Sequence, residues 1–266
     1  MKNLKLGVIG CGNMGSAIVR GVTKKGIIES ENILINDEDT DKAASLASET
    51  GCRSAELPDL AGKADYLLFA VKPQDFDALA DRIKDQISGQ TIVSIMAGVT
   101  IEAITEKIGK ETPVIRAMPN MAAFASSGVT CISCNKLVDD LQDVKDIFRA
   151  VGEVMEVEED DLDAVTAISG SGPAYLFFLA DAMISAGEKS GLSREKAEEL
   201  VKQTLYGSSV LLKDSKDLPS ELIGKVASKG GTTEAALSVL KDRDVKGAII
   251  EAVIKAKKRS EELSGR

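Results

Sequence analysis

Leu4-Lys5-Leu6-Gly7-Val8-Ile9-Gly10-Cys11-Gly12-Asn13-Met14-Gly15 is the stretch from which the fold follows. Residues 4–9 read as a buried strand. A GxGxxG run comes next, then an apolar-periodic helix to about Lys25, then a second strand over 32–36 that ends at Asp37. Strand, glycine loop, helix, strand and acid fit within one βαβ unit, the pattern of a dinucleotide-binding fold. A lone GxGxxG also suits an ordinary turn. Its position between a strand and a helix gives it a ligand. Gly10 allows the tight turn, Gly12 lets a pyrophosphate approach the backbone, and Gly15 lets helix and strand pack. Asn13 and Met14 offer N–H groups at the helix N-terminus, where anions are favoured.

Asp37 is placed to accept hydrogen bonds from the adenosine ribose. The same residue type also caps helices, and the two roles are compatible. Asn36-Asp37-Glu38-Asp39 contains no cation, so the segment favours NADH over NADPH, whose 2′-phosphate it repels. Ala70-Val71-Lys72-Pro73 ends a later strand, at the sheet edge where open α/β folds bind ligands. Pro73 stiffens that loop. Lys72 either meets cofactor phosphate or ribose, or is a solvated loop lysine. Met118-Pro119-Asn120 ends a further strand, and Asn120 reads as a contact on the nicotinamide side or as a turn former.

Further strands are expected over 66–71, 91–95, 114–118, 128–134 and 154–157. Helices are expected over 40–49, 74–86, 100–108 and 139–150. This alternation predicts a mostly parallel, doubly wound α/β sheet. After residue 158 no strand is expected. Helices follow over 161–168, 173–190, 194–213, 219–226, 233–241 and 245–263. The predicted organisation is a dinucleotide-binding domain over 1–160 and an all-helical domain over 161–266.

Composition narrows the chemistry. Of 266 residues, 44% are apolar but only 3% aromatic, so the core must be aliphatic. The net charge of −9 opposes nucleic-acid or anionic-membrane partners. The basic cluster Lys255, Lys257, Lys258 and Arg259 reads as the last turns of a helix. No apolar stretch stands out as a membrane span. Met1-Lys2-Asn3 runs into a strand without a signal-peptide pattern, so a cytoplasmic location is expected. Cys131 and Cys134 form a single CxxC inside a strand, read as ordinary strand cysteines, and no metal site is expected. The chain has no His. A Ser-His-Asp triad and a His-Asp acid/base pair are therefore excluded.

Two signatures mark the second half. Gly170-Ser171-Gly172-Pro173-Ala174-Tyr175 reads foremost as close packing at a helix start. Ser228-Lys229-Gly230-Gly231-Thr232-Thr233 sets three hydroxyls and two glycines before a helix. It reads as a site for a small anion, with a simple capped turn as the plain alternative.

Together with the N-terminal glycine loop, these segments resemble the pyrroline-5-carboxylate reductase family over essentially the whole chain. The resemblance implies a Rossmann-like domain for NADH or NADPH and an all-helical domain that forms an intertwined homodimer. A decamer of five dimers is the implied larger assembly. It further implies that Ser228 and the backbone from Gly230 to Thr233 hold the carboxylate of 1-pyrroline-5-carboxylate, with the Thr233 hydroxyl near the ring nitrogen as the catalytic contact. Lys229 stands where many relatives have Pro. The missing His agrees with this chemistry, because a cyclic imine protonated by solvent needs no strong general acid. Three other readings remain at this level. A β-hydroxyacid dehydrogenase would need a catalytic Lys, and residues 164–175 contain none. A non-catalytic dinucleotide sensor would have no use for residues 228–233. Reduction of another cyclic imine depends on pocket shape, which sequence does not specify.

Overall fold

The computed structural model describes residues 4–265. Met1, Lys2 and Asn3, on which the reading of the N-terminus rests, and Arg266 lie outside the described residues. The chain forms two compact units, 4–171 with 256–265, and 172–255.

The first unit begins with β1 (Leu6–Ile9), α1 (Asn13–Lys24), β2 (Ile33–Asn36), α2 (Thr40–Thr50), β3 (Arg53–Ser54), α3 (Leu57–Lys63) and β4 (Tyr66–Phe69). It continues with α4 (Phe76–Ile83), β5 (Thr91–Ser94), α5 (Ile101–Ile108), β6 (Val114–Pro119), β7 (Gly128–Cys134), α6 (Gln142–Arg149), β8 (Gly152–Glu156) and α7 (Leu162–Val165). The eight strands lie in the order β3-β2-β1-β4-β5-β6-β7-β8. Pairs from β3 to β6 are parallel, β6–β7 is antiparallel and β7–β8 parallel. This is the expected doubly wound arrangement. All four residues of β1 are buried, as a strand covered on both faces requires. One face packs Val8, Ile18, Ile33, Ile35, Leu68 and Phe148. The other packs Ile9, Leu60, Leu67, Phe69, Leu79 and Ile104.

Local signals set the helix ends. The Asp39 carboxylate accepts from the Lys42 N–H at 3.4 Å to cap α2, and Gly51 ends it at φ 75°. The cap is thus Asp39, two residues beyond the Asp37 considered from sequence. Thr100 caps α5 at 3.1 Å. Arg116, in the middle of β6 and 3% exposed, meets Glu159 at 3.1 Å. The same Glu159 oxygen accepts the Ile101 N–H at 2.8 Å, so one carboxylate ties β6 to the start of α5.

The reading of residues 51–65 from sequence contains no element, whereas the chain forms β3 and α3 there. β3 is two exposed residues held by pairing with β2, and α3 has seven residues with Pro58 in its first turn. Neither is long enough to show periodicity. After α7 the backbone widens into a π-turn, Thr166–Gly170, where the Ser171 N–H reaches the Thr166 carbonyl at 2.8 Å.

The second unit contains α8 (Gly172–Lys189), α9 (Arg194–Asp214), α10 (Pro219–Val226), α11 (Thr232–Asp242) and most of α12 (Val245–Leu263). Ile184, Ala197 and Val201 form its small core. A Cβ on Gly187 would come within 2.9 Å of the Ala197 Cβ, so this glycine lets α8 and α9 pack closely. Phe177, Phe178, Leu200, Tyr206 and Ile254 are exposed.

The compact units change over at Ser171, beyond the composition change at residue 160, and the end of α12 belongs with the sheet unit. There Ser260 donates to the buried Asp163 carboxylate at 2.6 Å. The reading that no stretch suits a membrane span needs correction. The helical run Glu159–Lys189 reaches a mean hydropathy of 1.2 and is long enough to cross a bilayer by length and composition. Its apolar residues are diluted by Gly, Ser and Ala, so no unbroken block marks it in the sequence.

Candidate active site

The parallel strands bring their C-terminal ends to one edge of the sheet. Gly10 follows β1, Asp37 follows β2, Ala70-Val71-Lys72-Pro73 follows β4 and Asn120 follows β6. Backbone bonds lock the first three loops together. The Gly10 N–H donates to the Asn36 carbonyl at 2.8 Å, and the Ala70 N–H to that of Ile9 at 2.8 Å.

The glycine loop fits a dinucleotide. Gly10 has φ 104°, and a Cβ there would lie 2.6 Å from the Ala70 carbonyl oxygen. A Cβ on Gly15 would clash with the Gly10 carbonyl oxygen. Gly12 differs, for nothing lies within 4 Å of its missing Cβ. That open space, at the start of an α1 with no side-chain cap, is where a pyrophosphate can meet the N–H groups of Asn13 and Met14. Gly10, Gly12, Asp37, Ala70, Val71 and Lys72 line one cleft. A roomier groove of about 670 Å³ runs along β2 and β3, but it contains no glycine and its charges are mixed. The cleft, unlike the groove, contains the glycine loop.

Both Asp37 oxygens already have protein donors. One accepts the Cys11 N–H at 2.6 Å and the other the Asp39 N–H at 2.9 Å. Each keeps a lone pair for a ribose hydroxyl. Sequence reading named Glu38 only for its charge and missed Lys42, Arg82 and the segment after β5. Glu38, Lys42 and Arg82 line the cleft, and Met96-Ala97-Gly98 follows β5 at the same edge. The last is findable by topology, since the loops after β4 and β6 flank it. Asn120 is a turn former. Its Oδ1 accepts the Val129 N–H at 3.2 Å, which leaves its NH₂ as the group it can offer a ligand. Gly170 packs closely as read, a Cβ there meeting Met118 Cε at 2.9 Å, while Gly172 faces open space.

Cys11 lies in the loop but is no nucleophile. Burial first, then Asp37 and Cys52, push its thiol from 9.0 up to about 12. At pH 8 the thiolate is about one part in ten thousand. Iodoacetamide at that pH should leave Cys11 unmodified in peptide mass spectra, and prompt labelling there would contradict the assignment. Cys131 and Cys134, three apart on β7, point to opposite faces of the sheet. Only Cys134 packs on the α1 side, and burial raises both thiols.

In the helical unit, Ser228, Lys229, Gly230, Gly231, Thr232 and Thr233 form a tight loop running into α11. Gly230 has φ 73°. The Gly231 N–H donates to the Ser228 carbonyl at 3.0 Å. A Cβ on Gly231 would clash with Ser228 Oγ, so only glycine lets that hydroxyl fold over the loop. α11 starts with no side-chain cap, which leaves the N–H groups of its first turn for an anion. Two of the loop's N–H groups are already taken, that of Gly231 by the Ser228 carbonyl and that of Gly230 by Glu234, which accepts at 2.6 Å.

Residues 159–263 match the family described as pyrroline-5-carboxylate reductase dimerisation, and residues 5–98 the family described as NADP oxidoreductase, coenzyme F420-dependent. The pyrroline-5-carboxylate reductase of Escherichia coli (strain K12) is 36% identical over 264 residues, 98% of each chain. The chain belongs to the pyrroline-5-carboxylate reductase family. The solved pyrroline-5-carboxylate reductase of Coxiella burnetii superposes with a TM-score of 0.92 at 33% identity, over 99% of each chain. The pyrroline carboxylate reductase of Plasmodium falciparum, solved with NADP bound, superposes with a TM-score of 0.89 at 33% identity, over 99% of each chain. Membership in the pyrroline-5-carboxylate reductase family bears out the resemblance drawn from the glycine loop and residues 170–175 and 228–233.

Proposed function

We propose that this chain reduces the C=N bond of 1-pyrroline-5-carboxylate to L-proline, the last step of proline biosynthesis, with NADH as the preferred donor. The carrying observation is the uncapped, glycine-preceded start of α11 at residues 228–233, in a chain that also holds an open dinucleotide cradle at Gly12.

The bound dinucleotide supplies hydride to the electron-poor carbon of the imine. The protein's residues bind and orient. Ser228 and the backbone from Gly230 to Thr233 hold the substrate carboxylate, and Lys229 adds positive charge beside it. The Thr232 and Thr233 N–H groups donate to that carboxylate, while those of Gly230 and Gly231 keep their bonds to Glu234 and Ser228. The Thr233 hydroxyl orients the ring nitrogen. No side chain need donate a proton in the rate-limiting step, because the imine arrives protonated from solvent. That suits a chain without His. Gly10, Gly12, Asn13, Met14 and Gly15 hold the pyrophosphate, Asp37 the ribose, and Ala70, Val71, Lys72, Pro73 and Asn120 the nicotinamide half.

Residues 1–160 serve as the dinucleotide domain and 161–266 as the substrate and dimerisation domain. The exposed Phe177, Phe178, Leu200 and Tyr206 are covered by a second copy, since roughly 100 residues alone make a thin core. Five such dimers build the larger assembly. The setting is the cytoplasm. Purified protein assayed with 1-pyrroline-5-carboxylate should oxidise NADH several-fold faster per kcat/KM than NADPH, and Asp37→Ser should narrow that gap. Turnover of a hydroxyacid or of the six-membered imine, without turnover of this substrate, would refute the assignment.

A further inference from the structure

The charges of residues 36–39 read alone are all negative, but those of the folded cleft are not. Glu38, Lys42 and Arg82 line it together with Gly10, Gly12 and Asp37. Arg82 comes from α4, and its Nη1 meets the Glu38 carboxylate at 3.3 Å. Lys42 is held at 3.1 Å by Asp39, the residue that also caps α2. Asp37 is bound on both oxygens by the backbone of the glycine loop and of Asp39. Glu38 instead bridges to the α4 side of the cleft through Arg82.

We infer that the Glu38–Arg82 pair sets the choice between a ribose 2′-hydroxyl and a 2′-phosphate, with Arg82 the cation that a 2′-phosphate would recruit. The inference rests on the cofactor assignment made above. Guanidinium pairs with phosphate through two parallel charge-assisted hydrogen bonds, a geometry that Lys42 cannot supply. The pair with Glu38 is weak, since the two side chains are 56% and 86% exposed. Arg82 is therefore easily released. Glu38 opposes the phosphate twice, by occupying Arg82 and by its own charge. Removing its carboxylate acts in one direction on both counts. NADH meets neither effect, because a hydroxyl needs no cation.

The test is the ratio of the Kd for NAD⁺ to that for NADP⁺, measured by calorimetry on the full-length protein. NAD⁺ and NADP⁺ differ only in the 2′-phosphate, and both substituted side chains are exposed, so folding is not at stake. Glu38→Gln should raise the ratio about ten-fold, and the NADPH-to-NADH ratio of kcat/KM should follow. Glu38→Gln combined with Arg82→Gln should lose most of that gain. A ratio that moves less than about two-fold in Glu38→Gln overturns the inference, as does a gain that persists without Arg82. A wild type that favours NADPH would instead overturn the NADH preference proposed above, and the change on substitution would still report on the pair.

Discussion

Replacing Thr233 by Ala is expected to lower kcat/KM for 1-pyrroline-5-carboxylate by roughly ten- to a hundred-fold, with the Kd for NADH changing less than about two-fold. Thr233 is the second residue of α11 and follows the Gly230-Gly231 pair. Its hydroxyl and its N–H can therefore serve one small ligand. Alanine keeps the helix, because it is the best helix former and no side-chain cap is removed. What is lost is one hydrogen bond to a charged or developing partner, about 1.5–3 kcal/mol. Cofactor binding belongs to the glycine loop after β1. Steady-state kinetics with NADH titrations separate the two. Full kcat/KM for the imine combined with weakened NADH binding would show that the two sites are assigned the wrong way round.

Gly12→Ala and Gly15→Ala are expected to fail in different ways. Gly12 has φ −67°, which alanine adopts freely, and a Cβ there meets nothing within 4 Å. The variant should unfold within about 2 °C of the parent and yet lose at least ten-fold in NADH affinity, because the methyl fills the space left for the pyrophosphate. At Gly15 the Cβ would clash with the Gly10 carbonyl oxygen and lie 3.1 Å from the Ala70 Cβ. Neither a backbone oxygen nor a Cβ can turn aside. That variant should lose about 3 kcal/mol or more of stability together with cofactor binding. Thermal melts and NADH fluorescence titrations on both proteins check this. A stable Gly12→Ala protein with unaltered NADH affinity would remove the cofactor from this loop.

The β1-α1-β2 unit is legible in sequence because each of its constraints is local. An apolar strand, three spaced glycines and an acid at the next strand's end all fall within residues 4–37. The loop at 228–233 is legible for the same reason. What sequence hides is what folding brings in from elsewhere. Arg82 stands on α4 and reaches Glu38 only in the folded cleft, so a segment that reads as cation-free gains a guanidinium. Arg116 and Glu159 meet across 43 residues inside the sheet unit, and nothing periodic links them. β3 exists only because β2 lies beside it. The end of α12 reads as one more turn of a helical half, yet Ser260 binds Asp163 and places it with the sheet. Glu234 looks like an ordinary first-turn acid, and only the turn at Gly230 swings that N–H onto it.

The central claim is hydride addition to one carbon of a five-membered imine. NADH carrying deuterium at both C4 positions, mixed with 1-pyrroline-5-carboxylate and the enzyme, tests it in one spectrum. The proline formed should carry a single deuterium on the ring carbon next to nitrogen that bears no carboxylate. Unlabelled proline, or deuterium on the carboxylate-bearing carbon, would contradict the account.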